Sequence, residues 1–116
     1  VISTPTGSTA YNMSCGGPII HPQAASFAIT PVAPHSLTVR PMIVPDDYVL
    51  SFSIESRTGK AMVALDTRTV LVDNKIELAG RRADEQIHLV RLPFTNYLDT
   101  LRGRLMWGHD ARNWKQ

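Results

Sequence analysis

The stretch STPTGSTAYN, residues 3–12, decides how the rest of this chain is interpreted. The β-branched pair Val1-Ile2 ahead of it is typical of the end of a buried strand. Pro5 disfavours a continued strand and biases the residue before it toward an extended conformation. Gly7 permits a sharp turn, or a close approach of a ligand to the main chain. The stretch therefore predicts a tight corner at the end of a strand.

A short helix is predicted to follow this corner. Ser8 or Thr9 has a side chain suited to cap its N-terminus, and Gly16-Gly17 would end it. A strand, a tight loop and a helix N-terminus together offer backbone N–H groups to an anion or a polar ring. Tyr11 adds a flat face on which a base can stack, with Ser14 on the same side. Composition alone fits a binding corner and a merely capped helix equally well.

Length and composition predict one soluble globular domain over residues 1–116. Hydrophobic residues make up 43% and charged residues 19% of the chain, which is enough for a single core and too apolar for a disordered protein. No apolar run approaches the roughly 20 residues of a membrane span. The net charge of +2 is dispersed, without the basic and aromatic pattern of a nucleic-acid-binding protein. A single cysteine excludes an internal disulfide and fits a reducing compartment.

The middle of the chain predicts a mainly β fold, an antiparallel β-sandwich. Leu50, Phe52 and Ile54 alternate with polar residues, which is the period of a half-buried strand. The apolar run at residues 61–65 predicts a strand buried on both faces. Further strands are expected at residues 27–29, 69–72, 75–78 and 87–92. Short strands separated by turn residues at this spacing are typical of a sandwich.

A C-terminal helix is predicted within residues 94–116. Apolar residues recur at helical spacing in its sequence: Phe94, Tyr97, Leu98, Leu101 and Leu105. Thr95 is suited to cap its start, and Arg102 and Arg104 suit the negative end of its dipole. Its apolar stripe, together with Trp107 and Trp114, has no sheet of its own to cover. We therefore expect residues 94–116 to dock on a second domain outside this chain.

Familiar catalytic and metal-binding patterns are missing from the sequence. The four histidines lack the spacing of metal ligands, so no metal site is predicted. Cys15 has no activating neighbours and is expected to pack behind the short helix. Residues 7–9 lack the lysine of a phosphate loop and the second glycine of a nucleophile elbow. No catalytic residue is predicted in this chain.

The order of motifs along the chain resembles the NAD kinase family. TPTGSTAYN at residues 4–12, followed by the GGP of residues 16–18, is similar to a signature of that family. Later stretches are similar to it in the same order: residues 20–22, 30–37, 40–41, 44–45, 101–102 and 105–108. The resemblance covers nearly the whole chain. It identifies the chain as the NAD-binding C-terminal domain of a two-domain kinase.

This resemblance implies phosphoryl transfer from ATP, or from polyphosphate in some members, to the 2′-hydroxyl of the adenosine ribose of NAD, which yields NADP. Mg2+ or another divalent metal accompanies ATP in that reaction. The family's Gly-Gly-Asp-Gly motif, whose Asp acts on the acceptor hydroxyl, lies in an N-terminal α/β domain and does not occur in this chain. We therefore expect a piece of a longer cytoplasmic protein, inactive alone, that forms a homodimer or homotetramer.

The resemblance also implies which residues meet the dinucleotide: Thr6, Thr9, Ala10, Tyr11, Ser14 and Ala33. Tyr11 and Ser14 would contact the adenosine part, and Thr9 and Ala10 would lie along the same pocket. Ala33 would belong to a wall supplied by a neighbouring subunit. Three glycines would serve the shape of the backbone rather than contact NAD: Gly7, Gly16 and Gly17.

Two other classes of protein stay open at this point. One is a β-sandwich interaction or oligomerisation module without a ligand, in which the hydroxyl-rich corner is only a capped turn. The other is a domain of a related lipid or sugar kinase, although no apolar groove signature is present. A Gly-Gly-Asp-Gly motif upstream of this chain would favour the NAD kinase over both.

Overall fold

The computed structural model describes residues 1–90, 92–94 and 96–108. The chain forms two compact units, Val1–Asp84 and Glu85–Gln116. Every strand that the described residues form belongs to the first unit. The grouping of residues 1–116 into a single domain stays a prediction.

A three-stranded antiparallel sheet opens the first unit and holds its core. Its strands are β1 (Ile2–Ser3), β2 (Ser26–Ile29) and β3 (Met42–Pro45), with β2 in the middle. Ile2 lies opposite Ile29, and Phe27 lies opposite Val44. Ala28 on the central strand is completely buried. The predicted strand at residues 27–29 is therefore confirmed as the centre of this sheet.

Two smaller antiparallel sheets follow in the first unit. Their strands are β4 (Leu50–Ser53), β5 (Lys60–Leu65), β6 (Arg68–Asp73) and β7 (Glu77–Gly80). β4 pairs with β7, and β5 pairs with β6. Phe52 and Leu78 from one sheet line the same cavity of about 590 Å3 as Val63 and Val70 from the other. The two sheets thus face each other as in a sandwich, and the predicted mainly β, antiparallel fold is confirmed.

Burial along these strands confirms one prediction and contradicts another. Phe52 and Ile54 are half-buried while Ser51 and Ser53 are exposed, so the alternation in this segment is confirmed. The apolar run in β5 was predicted to be buried on both faces, and this is wrong, since Met62 is 75% exposed. β5 pairs only with β6, and within the described residues nothing covers its outer face.

The second unit contains helix α2 (Tyr97–Leu105), where the sequence predicts a C-terminal helix. Its N-cap is Asn96, whose Oδ1 accepts a hydrogen bond of 2.8 Å from the backbone N–H of Asp99. Leu101 on this helix is buried. Met106 ends the helix in the left-handed region, with φ of 52°. The predicted cap at Thr95 and the tail from residue 109 onward lie outside the described residues.

The strand predicted at residues 87–92 is wrong. No strand forms in the described residues of this segment, 87–90 and 92. Ile87 is 90% exposed and Val90 is 94% exposed. An apolar run becomes a strand only when another strand supplies backbone hydrogen-bond partners, and the described residues form no such strand beside this segment.

Gly103 offers a stability test inside α2. We expect Gly103→Ala to raise the free energy of unfolding by about 0.5–1 kcal/mol, because alanine is a better helix former than glycine. A Cβ built at Gly103 meets no atom within 4 Å. Urea unfolding followed by circular dichroism measures the change. Gly108→Ala is the control with the opposite sign, because Gly108 has φ of +80°, and a destabilising Gly103→Ala would contradict the expectation.

Candidate functional site

The hydroxyl-rich stretch forms a compact turn, which we call the corner and define as residues 4–17. It consists of a 3-10 helix (Thr6–Thr9) followed by helix α1 (Tyr11–Ser14). The two helices join at Ala10, where the backbone leaves the helical region with φ of −97° and ψ of −133°. Ala10 is also the N-cap of α1, and no side chain caps it. The expectation that Ser8 or Thr9 caps this helix is therefore wrong.

Ser8 has a different part in the corner. It is fully buried. Its Oγ donates to the carbonyl of Pro5 at 2.6 Å and accepts from the backbone N–H of Ile20 at 2.9 Å. A hydroxyl can donate and accept at the same time. Ser8 thus fastens the corner to the segment that follows it, because the partner of its hydroxyl lies 12 residues along the chain.

Asn12 is the centre of the buried hydrogen bonds of the corner. It is only 1% exposed. Its Nδ2 donates to the carbonyls of Ser8 and Pro18, both at 3.1 Å. Its Oδ1 accepts from the hydroxyl of Thr30 at 2.6 Å. Thr30 directly follows β2 and is also 1% exposed, so one amide side chain joins α1 to the central strand of the first sheet.

Two glycines allow the corner to close at the end of α1. Gly16 has φ of +79°, a conformation that residues with a side chain rarely adopt. Its N–H donates to the carbonyl of Met13, and the N–H of Gly17 donates to the carbonyl of Asn12. These two bonds form the Schellman arrangement that satisfies the last carbonyls of a helix. A Cβ at Gly17 would lie under 3.0 Å from three side-chain atoms of Asn12, so Gly17 has no room for a side chain.

The predicted NAD contacts occupy the outer side of the corner. Tyr11 is 66% exposed. Thr6, Ala10 and Ser14 are exposed as well, and Thr9 is half-buried. The corner thus carries five of the six predicted contacts within nine residues, with their side chains accessible or partly so. Their role in binding stays a prediction.

Ala33, the sixth predicted contact, lies in the loop between β2 and β3. It is exposed and adopts the left-handed region with φ of 46°. This loop begins at Thr30, the residue that bonds Asn12. Sequence reasoning did not select Asn12 or Thr30, because a polar residue in a short helix and a threonine before a proline carry no signal of a contact 18 residues apart.

The corner has no formal charge to offer a ligand. Residues 1–20 contain no Asp, Glu, Lys, Arg or His. Its accessible polar groups are hydroxyls and backbone groups beside one aromatic ring, which suits recognition of a neutral base and sugar rather than acid–base catalysis. Cys15 is half-buried and free. Nowhere in residues 1–90, 92–94 and 96–108 do three or more His, Cys, Asp or Glu side chains gather to hold a metal ion.

Cavities formed by the described residues also lie elsewhere. The cavity between the two smaller sheets, about 590 Å3, is lined mainly by apolar side chains and contains no predicted contact of NAD. A second depression of about 380 Å3 lies in the other unit, beside Asn96, Asp99 and Arg104. We attach the candidate site to the corner rather than to either cavity, because the exposed ring and hydroxyls are there.

The chain is similar to curated proteins over nearly all of its length. The NAD kinase of Cytophaga hutchinsonii is 51% identical over 113 residues, which cover 97% of this chain and 39% of that protein. The NAD kinase of Flavobacterium johnsoniae is 46% identical over 113 residues, with 97% and 38% covered. The NAD kinase of Bacteroides fragilis (strain YCH46) is 47% identical over 112 residues, with 97% and 39% covered. The chain thus spans less than two-fifths of the length of these relatives.

A solved structure shares the fold. Yeast NADH kinase complexed with NADH superimposes with a TM-score of 0.78 at 23% identity, over 98% of this chain and 36% of that one. At this identity the likeness shows the fold alone, a mainly β antiparallel domain. Residues 1–92 match the family described as the ATP-NAD kinase C-terminal domain. The chain belongs to that family.

Proposed function

We propose that this chain is the NAD-binding part of an NAD kinase. The intact enzyme transfers a phosphoryl group from ATP, or from polyphosphate, to the 2′-hydroxyl of the adenosine ribose of NAD and forms NADP. The observation that carries the proposal is the exposed ring of Tyr11 on an uncharged, hydroxyl-rich corner, in a chain of the NAD kinase family.

The corner contributes to this reaction by holding the acceptor. The Tyr11 ring stacks on the adenine, and the hydroxyls of Thr6, Thr9 and Ser14 bond the adenosine and its neighbouring groups. Phosphoryl transfer depends mainly on alignment of the acceptor and stabilisation of charge. Firm binding of the adenosine fixes the 2′-hydroxyl in place for attack on the phosphorus atom.

The proton of the 2′-hydroxyl goes to a group outside this chain. Residues 1–20 hold no carboxylate or histidine that could accept it, and the Asp of the Gly-Gly-Asp-Gly motif fills that role in the proposal. A divalent metal such as Mg2+ would arrive with ATP and offset the charge of its phosphates. The described residues do not gather a metal-binding cluster, and we assign no step to a metal held by them. The chain alone is inactive as a kinase in this scheme.

The proposal also includes the oligomeric state of the enzyme and the cellular compartment in which it works. A homodimer or homotetramer is supported by the outer face of the β5–β6 sheet, where Met62 is 75% and Leu71 is 63% exposed. Contact with another copy would remove such apolar surface from water. The lone cysteine supports a cytoplasmic protein. None of the helices among the described residues is long and apolar enough to cross a membrane.

Removal of the Tyr11 ring tests the proposed function. In the intact protein, we expect Tyr11→Ala to weaken NAD binding by about 1–3 kcal/mol, the range seen when an aromatic side chain that stacks on a base is truncated. Tyr11→Phe keeps the ring and should bind nearly as well as the original protein. Isothermal titration calorimetry with NAD measures both.

Tyr48→Ala is the matched control for this experiment. Tyr48 is 57% exposed and lies in the turn after β3, outside the corner, so its removal should leave NAD affinity unchanged. Unchanged affinity in Tyr11→Ala as well would overturn the stacking role and favour an interaction module.

A further inference from the structure

We propose that Asn12 and Thr30 are positioning residues for the dinucleotide. Their buried hydrogen bond fixes the corner to the central strand β2. This attachment sets the position of the Tyr11 ring. The inference rests on the proposed function, because it concerns how the same site holds NAD.

Neither residue can act by touching the ligand. Asn12 and Thr30 are each 1% exposed, and Ser8, which shares the network, is completely buried. The exposed ring of Tyr11 belongs to the residue immediately before Asn12. An effect of these buried side chains on NAD affinity must therefore pass through the placement of the exposed ones.

Helix α1 cannot hold Tyr11 in place by itself. It has only four residues, and a single helical turn is unstable without contacts from outside because nucleation is unfavourable. Asn12 supplies such contacts on both sides of the turn, through Ser8 before it and Pro18 after it, at 3.1 Å each. The orientation of the Asn12 amide thus sets the orientation of the whole turn.

Thr30 connects this turn to a rigid support. Its hydroxyl donates to Asn12 Oδ1 at 2.6 Å, and its N–H donates to the carbonyl of Val1 at 2.8 Å. β2 beside it is the most buried strand of the first sheet. Thr30 also begins the loop that carries Ala33. The hydrogen bond between Thr30 and Asn12 therefore connects the corner, which carries Tyr11, to the loop that carries Ala33.

The experiment is Thr30→Val in the intact kinase, because valine has nearly the shape of threonine but lacks the hydroxyl. We expect the KM for NAD to rise about tenfold, equivalent to about 1.4 kcal/mol, while the KM for ATP stays unchanged. Thr30→Ser keeps the hydroxyl and should restore the KM for NAD. Thr67→Val is the matched control, since Thr67 is an exposed residue of the turn between β5 and β6, and should change neither KM.

A merely structural role would give another pattern. Thr30→Val would then lower the melting temperature and the active fraction, and hence kcat, with both KM values unchanged, and that result overturns the proposal. If Thr30→Val does not fold, Ser8→Ala removes the neighbouring buried hydroxyl and undergoes the same comparison. If Tyr11→Ala loses NAD affinity but Thr30→Val and Ser8→Ala do not, the positioning role is refuted and the proposed function stands. Unchanged affinity in Tyr11→Ala refutes the proposed function itself.

Discussion

Gly17→Ala is expected to lower the free energy of unfolding by about 3 kcal/mol, the upper part of the range for overpacking a buried site. The added Cβ would lie under 3.0 Å from Oδ1, Nδ2 and Cγ of Asn12. Real Cβ atoms essentially never approach a neighbour so closely, so something must move. The φ of Gly17 is not in the left-handed region, so the expected loss of stability comes from steric overlap and not from backbone strain.

The loss of stability is large because hydrogen bonds hold the Asn12 side chain in place. A flexible side chain usually turns aside from a new methyl group at little expense. Asn12 is held by Thr30 at Oδ1 and by two backbone carbonyls at Nδ2. A turn of the amide would break these bonds in a site shielded from water, where an unpaired polar group costs about 1–3 kcal/mol.

Urea unfolding followed by circular dichroism measures this effect, with Gly80→Ala as the control. Gly80 is in β7, and a Cβ there meets nothing within 4 Å, so its substitution should change stability by less than about 1 kcal/mol. Equal stabilities of the two variants would show that the corner opens easily and that the Asn12 network is weak.

The sequence predicted those parts of the fold that depend on local pattern. The alternation around Phe52 requires only neighbouring residues, and the structure confirms it. The C-terminal helix was likewise found from the spacing of Tyr97, Leu101 and Leu105. Its apolar period is local, although its cap at Asn96 and its end at Met106 depend on backbone geometry that spacing does not contain.

The parts that the sequence did not predict depend on distant partners. The sequence predicts Ser8 as a helix cap, because a hydroxyl just before a helix commonly bonds its first N–H groups. In the structure it bonds Ile20 instead. The same limit explains β5, whose burial depends on whether another element covers Met62. The predicted contacts follow from resemblance to a family, whereas the buried network behind them depends on the folded arrangement of Ser8, Asn12 and Thr30.

Asn12→Ala is expected to be the second costly substitution and to lower the free energy of unfolding by about 2–4 kcal/mol, because it leaves several buried polar groups unpaired. The change removes three hydrogen bonds and leaves the Thr30 hydroxyl and the carbonyls of Ser8 and Pro18 without this partner. A buried polar group that loses its partner costs about 1–3 kcal/mol, more than the bond itself contributes on formation. The three losses are not additive, because the groups share one site and relax together.

Asn96→Ala is the control for Asn12→Ala, because Asn96 is an ordinary helix cap and not part of a buried network. Asn96 is exposed and caps α2 through a single bond to the N–H of Asp99, and loss of such a cap costs about 1 kcal/mol. We therefore expect Asn12→Ala to lose at least twice as much stability as Asn96→Ala in the same urea titration. Equal losses would mean that water reaches the carbonyls of Ser8 and Pro18 once the amide is gone. The corner would then be held by its glycine turn rather than by its buried amide.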